Sequence, residues 1–321
     1  MTETETVTET EKEPGVELDV DAMLSSLVSV RSEVPEDALT ASVLGTERMG
    51  NGVVIGDPGL VLTIGYLVTE AQTLWITDHQ GLAVPGHVLG YDQESGFGLV
   101  QALQPLPAPA MDLGVSAACD VGDPIVLAGH GGGDALVTGR IIAKREFAGY
   151  WEYVLDEALF TAPAHPNWGG AALVGSDGRL LGVGSLLVQT VSSSGEKGGA
   201  NMIVPIDLLK PILEDMKLYG RPNRPARPWL GVLVQDVGSH LVVASTYDGC
   251  PAERAGIETG DRIVEVAGES IDGLAELFRR VWEIGPAGSD VPLTIVRDGE
   301  PRPVVLESID RNARLKHGAV H

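Results

Sequence analysis

The chain has 321 residues, enough for about two ordinary domains with sizeable cores. Its 22 Lys plus Arg stand against 45 Asp plus Glu, a formal net charge of −23 that repels polyanions and excludes nucleic acid and anionic membranes as expected partners. With 41 glycines, 20 prolines and only 5% aromatics, the composition points to many tight turns, as in a mostly β architecture, and two cysteines, Cys119 and Cys250, are too few for a disulfide scaffold.

Residues 1–20, with Thr and Glu alternating over Met1 to Pro14, read as an acidic, disordered tail. They show neither the basic start nor the apolar run of a secretory signal, and no apolar stretch reaches the roughly 20 residues that span a bilayer. The expectation is a soluble, cytoplasmic protein. In residues 21–220, strand-length apolar runs fall at 27–30, 52–55, 60–64, 73–76, 99–103, 125–127, 153–155 and 180–183. Asp57-Pro58-Gly59 and Ser176-Asp177-Gly178 punctuate them as hairpin turns, a pattern of antiparallel barrels or a sandwich. The period changes at Ile206, where Leu208, Leu209, Ile212, Leu213 and Met216 follow helical spacing until Gly220. Residues 221–228 (Arg-Pro-Asn-Arg-Pro-Ala-Arg-Pro) read as a stiff linker. Residues 229–311 read as a small α/β domain, with Leu274, Leu277, Phe278 and Val281 on one face of a helix and a closing hairpin at Asp298-Gly299, before a tail over 312–321.

These residues resemble the HtrA-type proteases, a trypsin-like pair of six-stranded antiparallel β-barrels followed by a PDZ domain. The resemblance runs from about Asp21 to Arg311. In the second domain it rests on Trp229-Leu230-Gly231-Val232, on Cys250-Pro251-Ala252-Glu253-Arg254-Ala255-Gly256-Ile257 and on Thr259-Gly260-Asp261-Arg262-Ile263. In the first it rests on Gly50-Asn51-Gly52-Val53-Val54-Ile55, on Thr138-Gly139-Arg140-Ile141 and on Asn167 with Gly169-Gly170. It implies that an extended peptide adds as a strand beside Gly231 to Gln235, its terminal carboxylate received by N–H groups near Leu230-Gly231 and its side chains lying on Leu274, Leu277, Phe278 and Val281. Trp229 opens that loop, and Arg279 and Arg280 stand where they could assist a carboxylate.

The same resemblance places the family's catalytic histidine at Tyr66, its acid at Gly96 and its nucleophile at Trp168, with an oxyanion donor at Pro166. A phenol with an ordinary pKa of about 10 is a poor base at neutral pH. An indole cannot attack a carbonyl, glycine has nothing with which to orient a base, and proline has no N–H. Tyr66 and Trp168 are expected to pack as an aromatic pair across the cleft. His79, His87 and His165 read as ordinary loop or surface histidines, Ser192-Ser193-Ser194 as a solvated loop, and His130-Gly131-Gly132-Gly133 as a Gly-rich turn. No histidine or cysteine spacing suits a metal, and no cofactor motif is present.

The resulting expectation is a non-catalytic member of the family, no enzyme, serving as a protein- or peptide-binding scaffold, adaptor or assembly factor. A regulatory or structural subunit of a larger enzyme or protease complex, and a hydrolase with a relocated active site, stay open beside it. So does oligomerisation, with itself or another chain, since residues 1–40 lack the aromatics of the family's usual trimer contact.

Overall fold

The structure is a computed structural model that describes residues 19–191 and 197–316. Strands β1 (Leu27–Glu33), β2 (Glu47–Val54), β3 (Leu60–Ile64), β4 (Thr73–Thr77), β5 (Ala83–Tyr91) and β6 (Phe97–Ala102) close the first barrel in the order β1-β2-β3-β6-β5-β4. Strands β7 (Pro124–Ala128), β8 (Leu136–Gly149), β9 (Tyr153–Ala162), β10 (Ala172–Val174), β11 (Leu180–Val191) and β12 (Lys197–Pro205) close the second, in the order β10-β11-β12-β9-β8-β7. β3 is buried along its whole length, because it faces the barrel interior on one side and the second barrel on the other. Val28, Leu62, Phe97 and Leu99 of the first barrel share one buried core with Phe160, Ala172, Val183 and Val204 of the second.

The expected helix from Ile206 is interrupted. A 3-10 turn covers Ile206–Leu208 and an α-helix covers Leu213–Tyr219. Pro211 lies between them and cannot donate the N–H that a continuous helix requires. Gly220 ends the helix at φ 73°, donating to the Met216 carbonyl at 3.1 Å.

Residues 221–228 are held at both ends rather than standing clear. Arg224 and Arg227 reach Glu94 of the first barrel at 3.0 and 2.6 Å, and the Arg227 guanidinium lies 4.2 Å over the Trp282 ring. Beyond them, β13 (Val232–Val237), β14 (His240–Thr246), β15 (Arg262–Val266), β17 (Asp290–Arg297) and β18 (Glu300–Glu307) form a sheet in that order, with β16 (Glu269–Ser270) paired to β15. Asp298 and Gly299 take φ 55° and 84°, which a two-residue hairpin of matching twist requires. The helix Leu274–Glu283 buries Leu274, Leu277, Phe278 and Val281, the i, i+3, i+4, i+7 stripe. At the C-terminal end, the Lys316 N–H donates to the buried Glu70 at 2.9 Å. Among the described residues no helix is long and apolar enough to cross a membrane.

Candidate functional site

Tyr66 follows the inward strand β3 on a 3-10 turn, Gly65–Leu67. Its hydroxyl donates to the Ser185 carbonyl at 2.9 Å, and its own carbonyl accepts from the buried Arg48 guanidinium at 2.9 Å. Burial pushes the phenol pKa up, and a hydrogen bond from the Trp168 side chain acts in the opposite direction. Tyr66 and Trp168 are both half-buried, and they meet through this polar contact rather than as the expected ring pair, since no stacking between them occurs among the described aromatics. The Ser185 carbonyl fixes the phenol over Gly169, where a Cβ would come within 2.8 Å of the hydroxyl.

Gly96 takes φ 83°, closing a turn in which its N–H donates to Asp92 O at 2.8 Å and its carbonyl accepts from Gly65 N–H at 2.7 Å. A side chain there would be strained, and its Cβ would lie 3.2 Å from the Tyr153 hydroxyl. The loop carrying Trp168 is pinned from β2: the Asn51 side-chain amide donates to the carbonyls of Asn167 and Gly169 at 2.8 and 3.1 Å. Of its donors, Pro166 has none and the Asn167 N–H is taken by His165 Nδ1 at 3.0 Å. His165 is not a surface residue. It is 1% exposed, and its other ring nitrogen meets the Ala135 carbonyl, so it braces the loop. His130 Nε2 meets the Asp78 carbonyl, while His79 is exposed and His87 half-buried. Ser192, Ser193 and Ser194 lie outside the described residues. Among the described residues no His, Cys, Asp or Glu grouping could hold a metal. The positions of Tyr66, Gly96 and Trp168 therefore bring together a phenol, a bare backbone and an indole, with no imidazole or carboxylate among the three. Beside them lies a cavity of about 280 Å³ lined by Leu44, Tyr66, Tyr91, Trp151 and Trp168 among others.

The second candidate site is the loop Trp229-Leu230-Gly231-Val232, and there the sequence missed the decisive residue. The N–H groups of Leu230, Gly231 and Val232 converge on the Glu152 carboxylate at 3.0, 2.8 and 3.1 Å. Glu152 sits in the turn between β8 and β9, at φ 60° and 4% exposed. Burial pushes its carboxyl up to about 7, against the three N–H donors and Arg311, which favour the ionised form. Two residues before it, the Tyr150 carbonyl accepts from the Val234 N–H at 3.0 Å. Two residues after it, Val154 joins the apolar cluster of Leu230, Val232, Leu274, Leu277, Phe278 and Val281. Trp229 packs 5.5 Å from Tyr247, ring to ring. Arg279 pairs with Glu146 and Asp156 of the same hairpin, whereas Arg280 pairs with Glu276 and Glu269, so neither is free to assist an incoming carboxylate.

Two fused antiparallel barrels followed by a sheet with a carboxylate-holding N–H loop define a trypsin-like peptidase domain joined to a PDZ domain. The trypsin-like peptidase domain family matches residues 50–183 and the PDZ domain family residues 228–307. The chain thus carries a trypsin-like peptidase domain followed by a PDZ domain, and in this arrangement it is similar to the HtrA-type serine endoproteases. It is 26% identical over 271 residues to a probable periplasmic serine endoprotease DegP-like of Halomonas elongata, and 27% identical over 274 residues to the periplasmic serine endoprotease DegP of Escherichia coli K12. These alignments take in 80% and 81% of the chain and 56% of each relative, so the chain spans about half the length of the curated relatives it matches. The fold is shared with a solved HtrA-type protease, AlgW with decapeptide, at TM-score 0.54, 21% identity, and 91% and 97% of the two chains. A serine endoprotease from Yersinia pestis gives TM-score 0.52, 20% identity, and 92% and 99% coverage.

These names correct three expectations. Relatives matching four-fifths of the chain are named serine endoproteases, which overturns the assignment to a non-catalytic scaffold, adaptor or assembly factor. The same names overturn the assignment of no enzyme. They are also periplasmic, which overturns the cytoplasmic expectation. The likeness runs through the barrel framework and the PDZ sheet, whereas Tyr66, Gly96 and Trp168 are three local positions within it.

Proposed function

We propose that this chain handles polypeptides as a member of the serine-endoprotease class, with its PDZ domain as the element that recognises a polypeptide's C-terminal carboxylate. The observation that supports this reading is the convergence of the Leu230, Gly231 and Val232 N–H groups on a single carboxylate. Charge-assisted bonds from three fixed backbone donors suit a carboxylate and disfavour an amide, which turns donors of its own toward them. We assign the peptide groove to Trp229, Leu230, Gly231, Val232, Leu274, Leu277, Phe278 and Val281, and the family's catalytic and oxyanion positions to Tyr66, Gly96, Trp168 and Pro166. The net charge of −23 supports a protein partner rather than a polyanion.

The test is incubation of the homogeneous full chain, and of its Trp168→Ser variant, with unfolded casein, read by mass spectrometry and by co-sedimentation. Fragments released by the wild type support cleavage by this chain. Casein that is retained but intact would remove the cleavage part of the reading, and casein neither cut nor retained would remove all of it.

A further inference from the structure

We propose that Glu152 is an internal ligand of the PDZ carboxylate loop, and that a peptide binds there only by displacing the turn over residues 150–154. The inference rests on the reading of that loop as a carboxylate site. Three independent contacts reproduce what an added peptide strand makes. The Glu152 carboxylate takes the N–H groups of Leu230, Gly231 and Val232. The Tyr150 carbonyl takes the N–H of Val234, on the exposed edge where a peptide backbone pairs. Val154, 8% exposed, fills apolar space against the helix Leu274–Glu283.

The attachment is specific to this turn. Glu152 holds a left-handed backbone that a non-glycine residue adopts only where its surroundings enforce it. Arg279, on that same helix, clamps both strands of the hairpin through Glu146 on β8 and Asp156 on β9. Two carboxylates cannot share one set of three donors, so internal and external ligands exclude each other. The apparent affinity for a peptide is then the intrinsic affinity multiplied by the fraction of molecules with the turn released. The chemistry also indicates the partner: a chain end with a free carboxylate and an apolar side chain near it, as Val154 stands near Glu152.

The experiment uses the full chain, wild type and Glu152→Ala, with a fluorescein-labelled decapeptide ending in valine as free acid or as amide. Backbone amide exchange is followed in parallel, and thermal melting verifies that the variant is folded. The expected result is that Glu152→Ala, which has no side-chain acceptor, binds the acid about tenfold or more tightly than wild type does. Without peptide, it also loses exchange protection at Leu230, Gly231, Val232 and Val234. Saturating peptide should release protection across residues 150–154 of the wild type. Unchanged protection at Leu230, Gly231 and Val232 in the variant overturns the internal ligand whatever the peptides do. Equal affinity of wild type and variant for the acid, with the amide weaker, overturns it and leaves the carboxylate site standing. Equal binding of acid and amide to a deprotected variant overturns the carboxylate reading, and the proposal falls with it. Should Glu152→Ala not fold, Arg279→Glu, a change at the clamp, must raise affinity in the same direction.

Discussion

Val234 donates its backbone N–H to the carbonyl of Tyr150 at 3.0 Å, so a turn of the second barrel lies along the PDZ strand edge. That bond acts together with the Glu152 hydrogen bonds and the Arg279 ion pairs in coupling the two domains, and Val154 extends the PDZ domain's apolar cluster onto β9. The PDZ groove and the barrel hairpin are therefore one packed unit, and changes on either side are expected to be felt on the other.

Val154→Ala removes two methyl groups from the apolar cluster around Leu277 and Phe278. The expected loss is about 1–3 kcal/mol, set by how far the helix can settle into the space. Urea denaturation followed by tryptophan fluorescence checks this. A biphasic transition in the variant, against a single one in the wild type, would show that the domains have uncoupled.

The Glu152 carboxyl has a pKa raised by burial to about 7 when the turn is docked. Docked Glu152 thus holds a proton more tightly than undocked Glu152, which titrates in the ordinary glutamate range. Docking is fully supported below that range and loses support as pH rises through about 7. The charged or titratable groups facing it are Arg311, Tyr247 and Cys250. Peptide affinity measured between pH 5.5 and 8 should rise with pH in the wild type and flatten in Glu152→Ala.

Gly96→Asp places a carboxylate at the family's acidic position but asks a β-carbon to accept φ 83°. The backbone strain costs about 1–2 kcal/mol, and the Tyr153 hydroxyl at 3.2 Å from that carbon adds crowding. A lowered melting temperature is expected, and Gly96→Ala should show most of the same drop. An unchanged melt for Gly96→Ala would mean that the turn relaxes freely.

Tyr66→Phe leaves the Ser185 carbonyl without its donor in a half-buried cleft. The expected cost is about 1–2 kcal/mol, that of an unsatisfied polar group rather than of lost packing. Thermal unfolding of the variant measures it, and a second variant, Trp168→Phe, separates the indole's share of the contact.

The strands were legible wherever a short apolar run met a Gly or Asp turn: β3 was expected over 60–64 and is found at Leu60–Ile64. The PDZ loop and helix were legible because their motifs are local. β8 was not. Its Arg140, Lys144, Arg145 and Glu146 interrupt the alternation, and it gains its partners only as a long hairpin with β9. Pro211 was overlooked beneath a good apolar period. Tyr66, Gly96 and Trp168 were placed by motif, yet their contacts were not, since the Ser185 carbonyl that holds Tyr66 is 119 residues away in sequence. Glu152 carries no local signal at all: an acid in a hairpin turn reads as solvated until the loop 78 residues later closes over it.

The central claim, a loop built to hold a polypeptide's terminal carboxylate, is tested most directly by the affinity of one decapeptide in two forms. The free acid and the C-terminal amide are titrated into the full chain carrying Glu152→Ala, which removes the side-chain oxygens from the three donors. The free acid should bind about tenfold or more tightly than the amide, the difference expected of charge-assisted bonds to fixed N–H groups. Equal affinities would contradict the claim and leave Leu230, Gly231 and Val232 as donors that serve only to join the two domains.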